Sequence, residues 1–453
     1  MQSIVTRAVS VIAVAALALL GGCAGAQVKT EILIWHGMEE QLGEAFGELV
    51  KQFNQSQREF EVKALYKDTY PEAMTSAMNA YGQKNRSHPH IIQVYEAGTQ
   101  SMLLSGAIVP IYRLMQQEKI AINRADFIET VTNYYSKENK LYSMPFNSST
   151  AILYYNKDIF KKAGLGDKPP ATWQDVETMS RKILAAGAAT CGFTTPSSSW
   201  TMLENTFAWH DQPFATNENG YKSVDTKLLI NSDFGLMHIR TLAKWQKENI
   251  FMWQKEYTVG GGMERPERKF LDGDCAMLVW TSEFIGLQKK PFKFNWGTGQ
   301  LPHWGPLYPK ANTILGGATL WVLREHEPAD YKGVAQFIKF IAEPRQQIRW
   351  ATTTGFVPIT KTAVKNLEDD SFFKKNPDKW TALSQLLNAK PTPNSRGIRL
   401  GAYKKVREVI EQELESIFTG KKTVKEALDT AVIRGNAILK EFGVTHKPWP
   451  DSI

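Results

Sequence analysis

Residues 142–156 read YSMPFNSSTAILYYN, two strand-like runs separated by small polar turn formers. The apolar residues 151–155 are typical of a buried strand, whereas the four polar residues 147–150 interrupt the pattern. A segment of this kind suits a chain that leaves one lobe and enters another. We therefore interpret residues 142–156 as a crossing between two lobes.

A second crossing is predicted at residues 314–323, ILGGATLWVL, where a glycine pair interrupts a strand. Glycine lacks a Cβ, so the pair permits a bend or the close approach of another backbone. Two lobes joined by more than one crossing form a hinge with a cleft between them. The pattern therefore favours a ligand cleft between two lobes.

The sequence before the first crossing predicts alternating strands and helices. The runs 31–36, 60–66 and 91–95 are apolar or alternating, as in buried strands, and an amphipathic helical pattern begins after Met38. Such a βαβ series predicts a parallel sheet, and the fold class is α/β. Further helices are predicted after Thr172, which can cap one, and over residues 403–418 and 423–442.

The composition is that of an ordinary globular protein. The chain has 453 residues, about three times a domain of ~150 residues, with 43% hydrophobic and 22% charged residues. These values exclude a disordered, collagenous or polytopic membrane chain. Lys and Arg number 54 against 46 Asp and Glu, a net charge of +8 that is spread along the chain. No nucleic-acid partner is expected from it.

The N-terminus predicts export from the cytoplasm. Arg7 precedes an apolar run over residues 8–20 that is too short to span a bilayer, and we interpret residues 1–26 as a signal peptide. Two processing sites compete. The AGA motif before Gln27 suits cleavage to a soluble periplasmic protein, whereas the LGGC motif ending in Cys23 suits lipidation and a membrane anchor.

Two cysteines remain for the fold, Cys191 and Cys275. They could form a disulfide in an oxidising compartment, or they could be buried thiols, because geometry and not spacing decides the pairing. Three cysteines in all can build neither a disulfide scaffold nor a cysteine-rich zinc site.

Common catalytic and cofactor motifs are absent from the sequence. It contains no HExxH helix, GxSxG elbow, Walker loop or GxGxxG fingerprint. His36 follows a strand, but a lone histidine is more often a hydrogen-bonded structural residue. Asp272 and Asp274 flank a glycine and are more often turn residues than a catalytic pair. We expect no cofactor, no metal and no enzymatic activity.

A set of short motifs is spread along the chain. The motifs are Trp35-His36-x-Met38-Glu39, Tyr66-Lys67-x-x-Tyr70, Gln93-Val94-Tyr95-Glu96, the runs at 145–150, 153–158, 273–277, 316–318 and 354–360, and Gly397-Ile398-Arg399-Leu400-Gly401. Together they resemble one family of binding proteins, the sn-glycerol-3-phosphate-binding periplasmic proteins. These are receptors of ABC-type uptake systems within the extracellular solute-binding proteins, which include the maltose receptors. The resemblance covers essentially the whole mature chain.

The resemblance implies a two-lobed periplasmic binding protein fold with an interlobe ligand cleft. It implies a first lobe of residues 27–146 and 319–354 and a second lobe of 147–318 and 355–453. It also implies a small organophosphate ligand and an ABC permease and ATPase complex in the inner membrane as partner. The implied ligand-binding residues are Tyr70, Glu96, Ser149, Trp200, Thr281, Ser282, Gly317, Phe356 and Arg407.

Four of these implied roles follow elementary chemistry. Arg407 offers a planar charged fork to phosphate oxygens, and Ser149 and the Gly317 N–H can add neutral donors. Glu96 can accept hydrogen bonds from glycerol hydroxyls. From its helical pattern alone, Arg407 would instead be solvated or paired with Glu411, four residues later.

The chain departs from the family pattern at two positions. Phe356 stands where the family has Tyr, and of two family tryptophans only Trp200 is kept, the other falling at about Ser197. A missing hydrogen bond to a charged group costs roughly 1.5–3 kcal/mol. These changes make a glycerophosphodiester such as glycerophosphocholine a candidate beside glycerol-3-phosphate. An oligosaccharide receptor of the same fold and a secreted phosphodiesterase or glycosidase are the alternatives.

Overall fold

The computed structural model describes residues 29–196, 198–254, 267–287 and 292–446. The predicted signal peptide, Cys23 and Ser197 lie outside the described residues. The strands are β1 Thr30–His36, β2 Phe60–Tyr66, β3 Ile91–Tyr95, β4 Ile108–Val109, β5 Ser136–Lys137, β6 Lys140–Leu141, β7 Met144–Ser149, β8 Ala151–Asn156, β9 Cys191–Thr195, β10 Phe251–Trp253, β11 Cys275–Thr281, β12 Trp296–Gly299 and β13 Gly316–Leu323.

The helices surround these strands. They are α1 Glu40–Ser56, α2 Tyr70–Gly82, α3 Thr99–Leu104, α4 Ile111–Gln117, α5 Glu129–Asn133, α6 Lys157–Lys162, α7 Trp173–Ala185, α8 Asn205–Trp209, α9 Thr216–Asn219, α10 Asp233–Lys247, α11 Arg268–Leu271, α12 Pro328–Ala342, α13 Pro344–Thr354, α14 Lys361–Asp369, α15 Phe372–Lys375, α16 Pro377–Leu386, α17 Tyr403–Phe418 and α18 Val424–Thr445. Short 3-10 segments cover Glu96–Gly98, Arg124–Asp126 and Ser282–Leu287, and Ser199–Glu204 is π-helical.

The first lobe is built on a sheet of order β2-β1-β3-β13-β4, with β7 also paired to β13. Strands β1, β2 and β3 are parallel, as the βαβ pattern predicts, and β13 runs antiparallel to β3. Because parallel strands end at the same edge of a sheet, the residues after β3 emerge beside those after β1. The 3-10 turn Glu96–Gly98 lies at this edge.

The second lobe contains a sheet of order β10-β9-β11-β8-β12. Its parallel neighbours β9 and β11 place Cys191 opposite Cys275, with Cα atoms 4.5 Å apart. The two cysteines form a disulfide, so the pairing that the sequence leaves open is present in the structure. The bridge joins residues 84 positions apart and closes a long loop.

The two crossings lie side by side at the hinge. Strand β7 belongs to the first sheet and β8 to the second, so the chain changes lobe at Thr150. The Thr150 hydroxyl donates to the Ile314 carbonyl at 2.8 Å, just before β13 re-enters the first sheet. Both predicted crossings are thus confirmed as strand connections, while the lobe boundaries predicted from sequence stay a prediction.

Local capping signals also hold. Thr172 accepts the Asp175 N–H at 3.0 Å while the Asp175 carboxylate accepts the Thr172 N–H, a reciprocal capping box at the start of α7. The predicted C-terminal helices correspond to α17 and α18. Across the described residues, no helix is both long and apolar enough to cross a membrane.

Candidate functional site

Arg407 lies at the boundary between the two lobes and holds two carboxylates. Its Nε and Nη2 donate to the two carboxylate oxygens of Glu204, at 2.7 and 2.6 Å. Its remaining terminal nitrogen, Nη1, pairs with Glu96 Oε1 at 2.7 Å. Both carboxylates are buried, and only 18% of the Arg407 side chain is exposed. Each terminal nitrogen of the guanidinium therefore faces a carboxylate.

The three charged residues come from distant parts of the chain. Arg407 is on α17, and Glu204 ends the π-helical segment that precedes α8 in the second lobe. Glu96 follows β3 in the first lobe. The pair between Glu96 and Arg407 consequently connects the lobes, whereas the pair between Glu204 and Arg407 fixes the guanidinium within its own lobe.

Burial and ion pairing oppose each other in this cluster. Burial disfavours the charge on Arg407, but Glu204 and Glu96 hold its pKa well above the usual arginine value. Burial raises the pKa of Glu96, and Arg407 only partly offsets this effect. A buried charge pair of this kind costs several kcal/mol per ion in lost hydration. The hydrogen-bonded ion pairs of Arg407 with Glu204 and Glu96 therefore have to offset a large loss of hydration free energy.

Tyr70 reaches the same region through Asn147. The Asn147 amide donates to the Tyr70 hydroxyl at 3.5 Å, and its Oδ1 accepts from Gln93 Nε2 at 2.7 Å. Gln93 in turn accepts the Gly37 N–H at 3.1 Å. Burial raises the pKa of Tyr70, and the negative charges of Glu283 and Glu96 raise it further. Tyr70 is therefore a neutral hydroxyl at the end of a fixed polar chain.

Ser149 and Thr281 meet from the two lobes. The Thr281 hydroxyl lies 3.0 Å from Ser149 Oγ and also donates to the carboxylate of Glu283. Burial raises the pKa of Glu283, while the hydroxyls of Thr281 and Ser149 lower it. Ser282 is turned to the hinge, where its hydroxyl accepts the Thr150 N–H at 3.3 Å.

Close packing against neighbouring atoms constrains Gly317 and the ring of Trp200. Gly317 has φ +98°, and a Cβ there would lie 2.2 Å from the Asn147 carbonyl oxygen, so only glycine fits. A Cβ at Gly316 would lie 2.4 Å from the Trp200 ring. The buried indole N–H of Trp200 has no hydrogen-bond partner among the described residues. It is a buried donor on a ring that lies against Gly316 of β13.

Phe356 is placed differently from the other predicted site residues. Its ring is 3% exposed and stacks on Trp350 at 6.0 Å with an interplanar angle of 6°. Trp350 stacks in turn on Phe146 in the core of the first lobe. The structure thus brings Tyr70, Glu96, Ser149, Thr281 and Arg407 into one electrostatically connected region and seats the Phe356 ring in the hydrophobic core.

Sequence reasoning missed two carboxylates of this region, Glu204 and Glu283. Both were detectable as acidic residues next to apolar runs, because an acid in such a place needs a partner. The alternative pairing of Arg407 with Glu411 is not the contact observed, since Glu411 accepts the Ser199 N–H.

Residues predicted to be structural behave accordingly. His36 accepts the Met38 N–H at Nδ1, 3.2 Å away, and burial lowers its pKa to about 4. Asp274, which directly precedes β11, pairs with Lys269 at 3.0 Å.

Outside the cleft, three side chains lie close enough together to offer ligands to a metal ion. Single ligand atoms of His90, His326 and Asp330 lie within 4.8 Å of one another. However, His90 Nδ1 accepts the Leu33 N–H at 2.9 Å, which places the imidazole proton on the nitrogen facing Asp330. Metal ligation there would require that proton to leave.

Comparison with known families identifies the chain. A family model described as bacterial extracellular solute-binding protein matches residues 48–381. The chain belongs to this family. Two relatives named sn-glycerol-3-phosphate-binding periplasmic protein UgpB extend the match. That of Pectobacterium atrosepticum is 40% identical and covers 92% of this chain and 93% of its own. That of Escherichia coli is 39% identical and covers 94% and 95%. The sequence resemblance is confirmed.

Solved structures of solute-binding proteins share the fold. UgpB from Mycobacterium tuberculosis, in complex with glycerophosphocholine, superposes with a TM-score of 0.75 at 18% identity over 91% of this chain and 99% of that one. The cyclic alpha-maltosyl-1,6-maltose binding protein from Arthrobacter globiformis gives 0.73 at 20% identity over 91% and 100%. The two-lobed α/β fold predicted from sequence is therefore confirmed.

Proposed function

We propose that this solute-binding protein captures sn-glycerol-3-phosphate or a glycerophosphodiester such as glycerophosphocholine in the periplasm. It then delivers the ligand to an ABC permease and ATPase complex in the inner membrane, without covalent chemistry of its own. The relatives at about 40% identity, which carry the glycerol-3-phosphate name, support this class of ligand. The observation that carries the proposal is the position of the Arg407 guanidinium at the lobe boundary.

The geometry suggests how a ligand joins the lobes. Glu204 holds two nitrogens of Arg407, which leaves the Nη1 side directed at the first lobe. A phosphate oxygen takes the place of Glu96 on Nη1, and Glu96 then accepts from a glycerol hydroxyl. The direct ion pair between the lobes is exchanged for one that passes through the ligand.

Neutral donors complete the proposed site. The hydroxyl of Tyr70 and the backbone N–H of Gly317 supply hydrogen bonds to the phosphate, and the hydroxyls of Ser149 and Thr281 do so when they rotate away from the Glu283 carboxylate. The indole of Trp200 supplies a flat apolar face and a buried N–H. A quaternary ammonium group is attracted to such aromatic faces, which favours a choline-bearing ligand.

The charges of the region favour a diester over a monoester. One guanidinium, that of Arg407, faces the carboxylates of Glu96 and Glu204, and a third carboxylate, that of Glu283, interacts with Glu96. A dianionic monoester meets more repulsion there than a diester with one negative charge, or than zwitterionic glycerophosphocholine. We therefore rank glycerophosphocholine above sn-glycerol-3-phosphate as the ligand of this protein.

A thermal-shift panel tests the proposal. A ligand that binds only the folded state raises stability by RT ln(1 + [L]/Kd). At millimolar ligand we expect a clear increase in Tm with glycerophosphocholine, a smaller one with sn-glycerol-3-phosphate and none with maltose. An increase with maltose alone would favour the oligosaccharide receptor. Intact ligand after long incubation, checked by product analysis, separates the receptor from a phosphodiesterase.

A further inference from the structure

A second indole lies beside that of Trp200. The ring centroids of Trp200 and Trp280 are 6.2 Å apart, and the two ring planes meet at 87°. Trp280 is the next-to-last residue of β11 and directly precedes Thr281 of the proposed cleft. Its side chain is partly exposed, whereas the other residues of β11 are buried. The two perpendicular rings therefore form an aromatic corner at the end of β11.

The aromatic corner lies next to the proposed cleft. The Trp200 ring lies against Gly316 of β13, and Gly316 pairs with Ser149 of β7. The Ser149 hydroxyl oxygen is 3.0 Å from that of Thr281, the residue after Trp280. Direct contacts thus connect the corner to two of the hydroxyls that the proposed function assigns to the phosphate.

The Glu283 carboxylate lies close to this corner and has no cationic partner among the described residues. It accepts a hydrogen bond from the Thr281 hydroxyl and also interacts with the hydroxyl of Ser149. No lysine, arginine or histidine of the described chain pairs with it. Its side chain is partly exposed, so a ligand can reach it. Neutral hydroxyls orient a carboxylate but do not neutralise its charge.

Two indoles and a carboxylate are groups that recognise a quaternary ammonium ion. Such an ion has no N–H to donate, so charge and aromatic faces hold it in place of hydrogen bonds. Indole gives the strongest cation–π contact of the aromatic side chains, and the corner offers two indole faces at right angles. The negative charge of Glu283 adds to this attraction.

The corner also differs from the arrangement that the family pattern implies. Of two family tryptophans this chain keeps Trp200, and the other position falls at about Ser197, outside the described residues. Trp280 supplies a second indole from β11 instead. The chain therefore places its second ring directly before Thr281 and near the Glu283 carboxylate.

We propose that Trp200, Trp280 and Glu283 form a subsite for the alcohol part of a glycerophosphodiester, and that this subsite selects a quaternary ammonium group. The inference rests on the proposed function, since it concerns the same cleft. The ammonium group lies in the aromatic corner, and the short ethylene spacer of choline keeps the phosphate close to Ser149 and Thr281. Because the ammonium balances the charge of Glu283, the two hydroxyls are released to donate to the phosphate.

Two glycerophosphate esters that differ in a single atom test the subsite. One is glycerophosphocholine, and the other is the 3,3-dimethylbutyl ester, in which carbon replaces the ammonium nitrogen. Calorimetric titration of the wild type and of Trp280→Leu gives the ratio of the two affinities in each protein. Both esters lose apolar contact in Trp280→Leu, but only the choline ester loses a cation–π contact. The preference for choline should therefore fall by about fivefold or more. An unchanged ratio would overturn the inference.

Glu283→Gln gives a second test should Trp280→Leu not fold. It keeps the size of the side chain and removes the charge, so it too should lower the preference for choline by about fivefold or more. The matched control is Trp253→Leu, a partly buried tryptophan on β10 of the same lobe that stacks on Phe418. The control should leave the ratio within about twofold of the wild-type value, and an equal fall there would contradict the subsite.

The same titrations distinguish failure of the subsite from failure of the proposed function. If the wild type binds neither ester at millimolar concentration, the proposed function is wrong and the subsite falls with it. If the wild type binds both esters and neither Trp280→Leu nor Glu283→Gln changes their ratio, only the subsite is wrong.

Discussion

The positive charges of two arginines at the lobe boundary, Arg407 and Arg399, are compensated in different ways. Arg407 faces two buried carboxylates, one from each lobe. Arg399 has backbone carbonyls and the Tyr221 ring around it but no carboxylate partner among the described residues. Tyr134 lies between the two arginines. Its carbonyl accepts a hydrogen bond from Arg399, while burial and the charge of Glu96 raise the pKa of its phenol and Arg407 lowers it.

The two arginines differ in whether a ligand anion has to compete with a carboxylate of the protein itself. That carboxylate, Glu96 at Arg407, is a built-in competitor. A ligand anion at Arg407 must displace Glu96, so its affinity is the difference between two charge-assisted contacts. Arg399 holds no carboxylate of the described residues that a ligand would have to displace. A cleft with a built-in competitor can select among ligands by charge, whereas an unneutralised arginine attracts anions more generally.

The largest effect is expected from Arg407→Ala. Loss of the charge-assisted hydrogen bond from Nη1 to the phosphate, worth roughly 1.5–3 kcal/mol, predicts a roughly ten- to hundredfold loss of glycerophosphocholine affinity. It also leaves Glu96 and Glu204 buried without a cation, at about 3–5 kcal/mol of unfolding free energy. Calorimetry and urea unfolding measure the two effects.

The matched control is Lys405→Ala, an exposed cation on the same helix. It should change glycerophosphocholine affinity less than twofold. Equal affinity in a folded Arg407→Ala variant would mean that the arginine does not contact the ligand.

Arg399→Ala should reduce the stability of the protein more than its affinity for glycerophosphocholine. Two hydrogen bonds from the charged guanidinium to the Tyr134 and Ser136 carbonyls are lost, which lowers the free energy of unfolding by roughly 3–6 kcal/mol. Glycerophosphocholine affinity should fall by less than tenfold, well short of the loss in Arg407→Ala. A larger loss in Arg399→Ala than in Arg407→Ala would show that the roles assigned to the two arginines are exchanged.

Glu283→Gln should change ligand preference more than overall affinity. It removes one negative charge beside Ser149 and Thr281 and keeps the size of the side chain. Repulsion of the dianionic monoester decreases most, so we expect the affinity for sn-glycerol-3-phosphate to rise several-fold relative to glycerophosphocholine. Competition calorimetry with both ligands measures the ratio. A ratio that moves towards glycerophosphocholine would contradict the charge argument.

The smallest expected effect is a change in how the stability of the protein depends on pH, again in the Glu283→Gln variant. Burial raises the pKa of Glu283 in the folded protein above its ordinary value of 4.5. The folded state then binds the proton more tightly than the unfolded state, so this stabilisation is complete below pH 4.5 and is lost as pH rises through the folded pKa. In urea unfolding from pH 4.5 to 8, Glu283→Gln should show a smaller decline in stability than the wild type. Parallel profiles would show that Glu283 is not desolvated.

The sequence predicted the parts of the fold that depend on local patterns. The strand Phe60–Tyr66 and the capping box at Thr172 follow from neighbouring residues, and the crossing at Thr150 follows from an interrupted strand. The disulfide could not be predicted, because it depends on β9 and β11 being neighbours in register.

The site was less predictable for the same reason. Spacing along a helix suggests Glu411 as the partner of Arg407, but the observed partner Glu204 is 203 residues away in sequence. The family resemblance names Phe356 as a site residue, and its role there stays a prediction while its ring stacks on Trp350. Long-range ion pairs and ring orientation arise only when the lobes fold together.

Titration calorimetry of the wild type with glycerophosphocholine, followed by the same titration of Arg407→Lys, tests the central claim most directly. Lysine keeps the charge but lacks the planar fork that Glu204 orients. The account predicts measurable binding to the wild type and a loss of at least tenfold in Arg407→Lys. No binding to the wild type at millimolar glycerophosphocholine and sn-glycerol-3-phosphate, or undiminished binding to a folded Arg407→Lys, would contradict it.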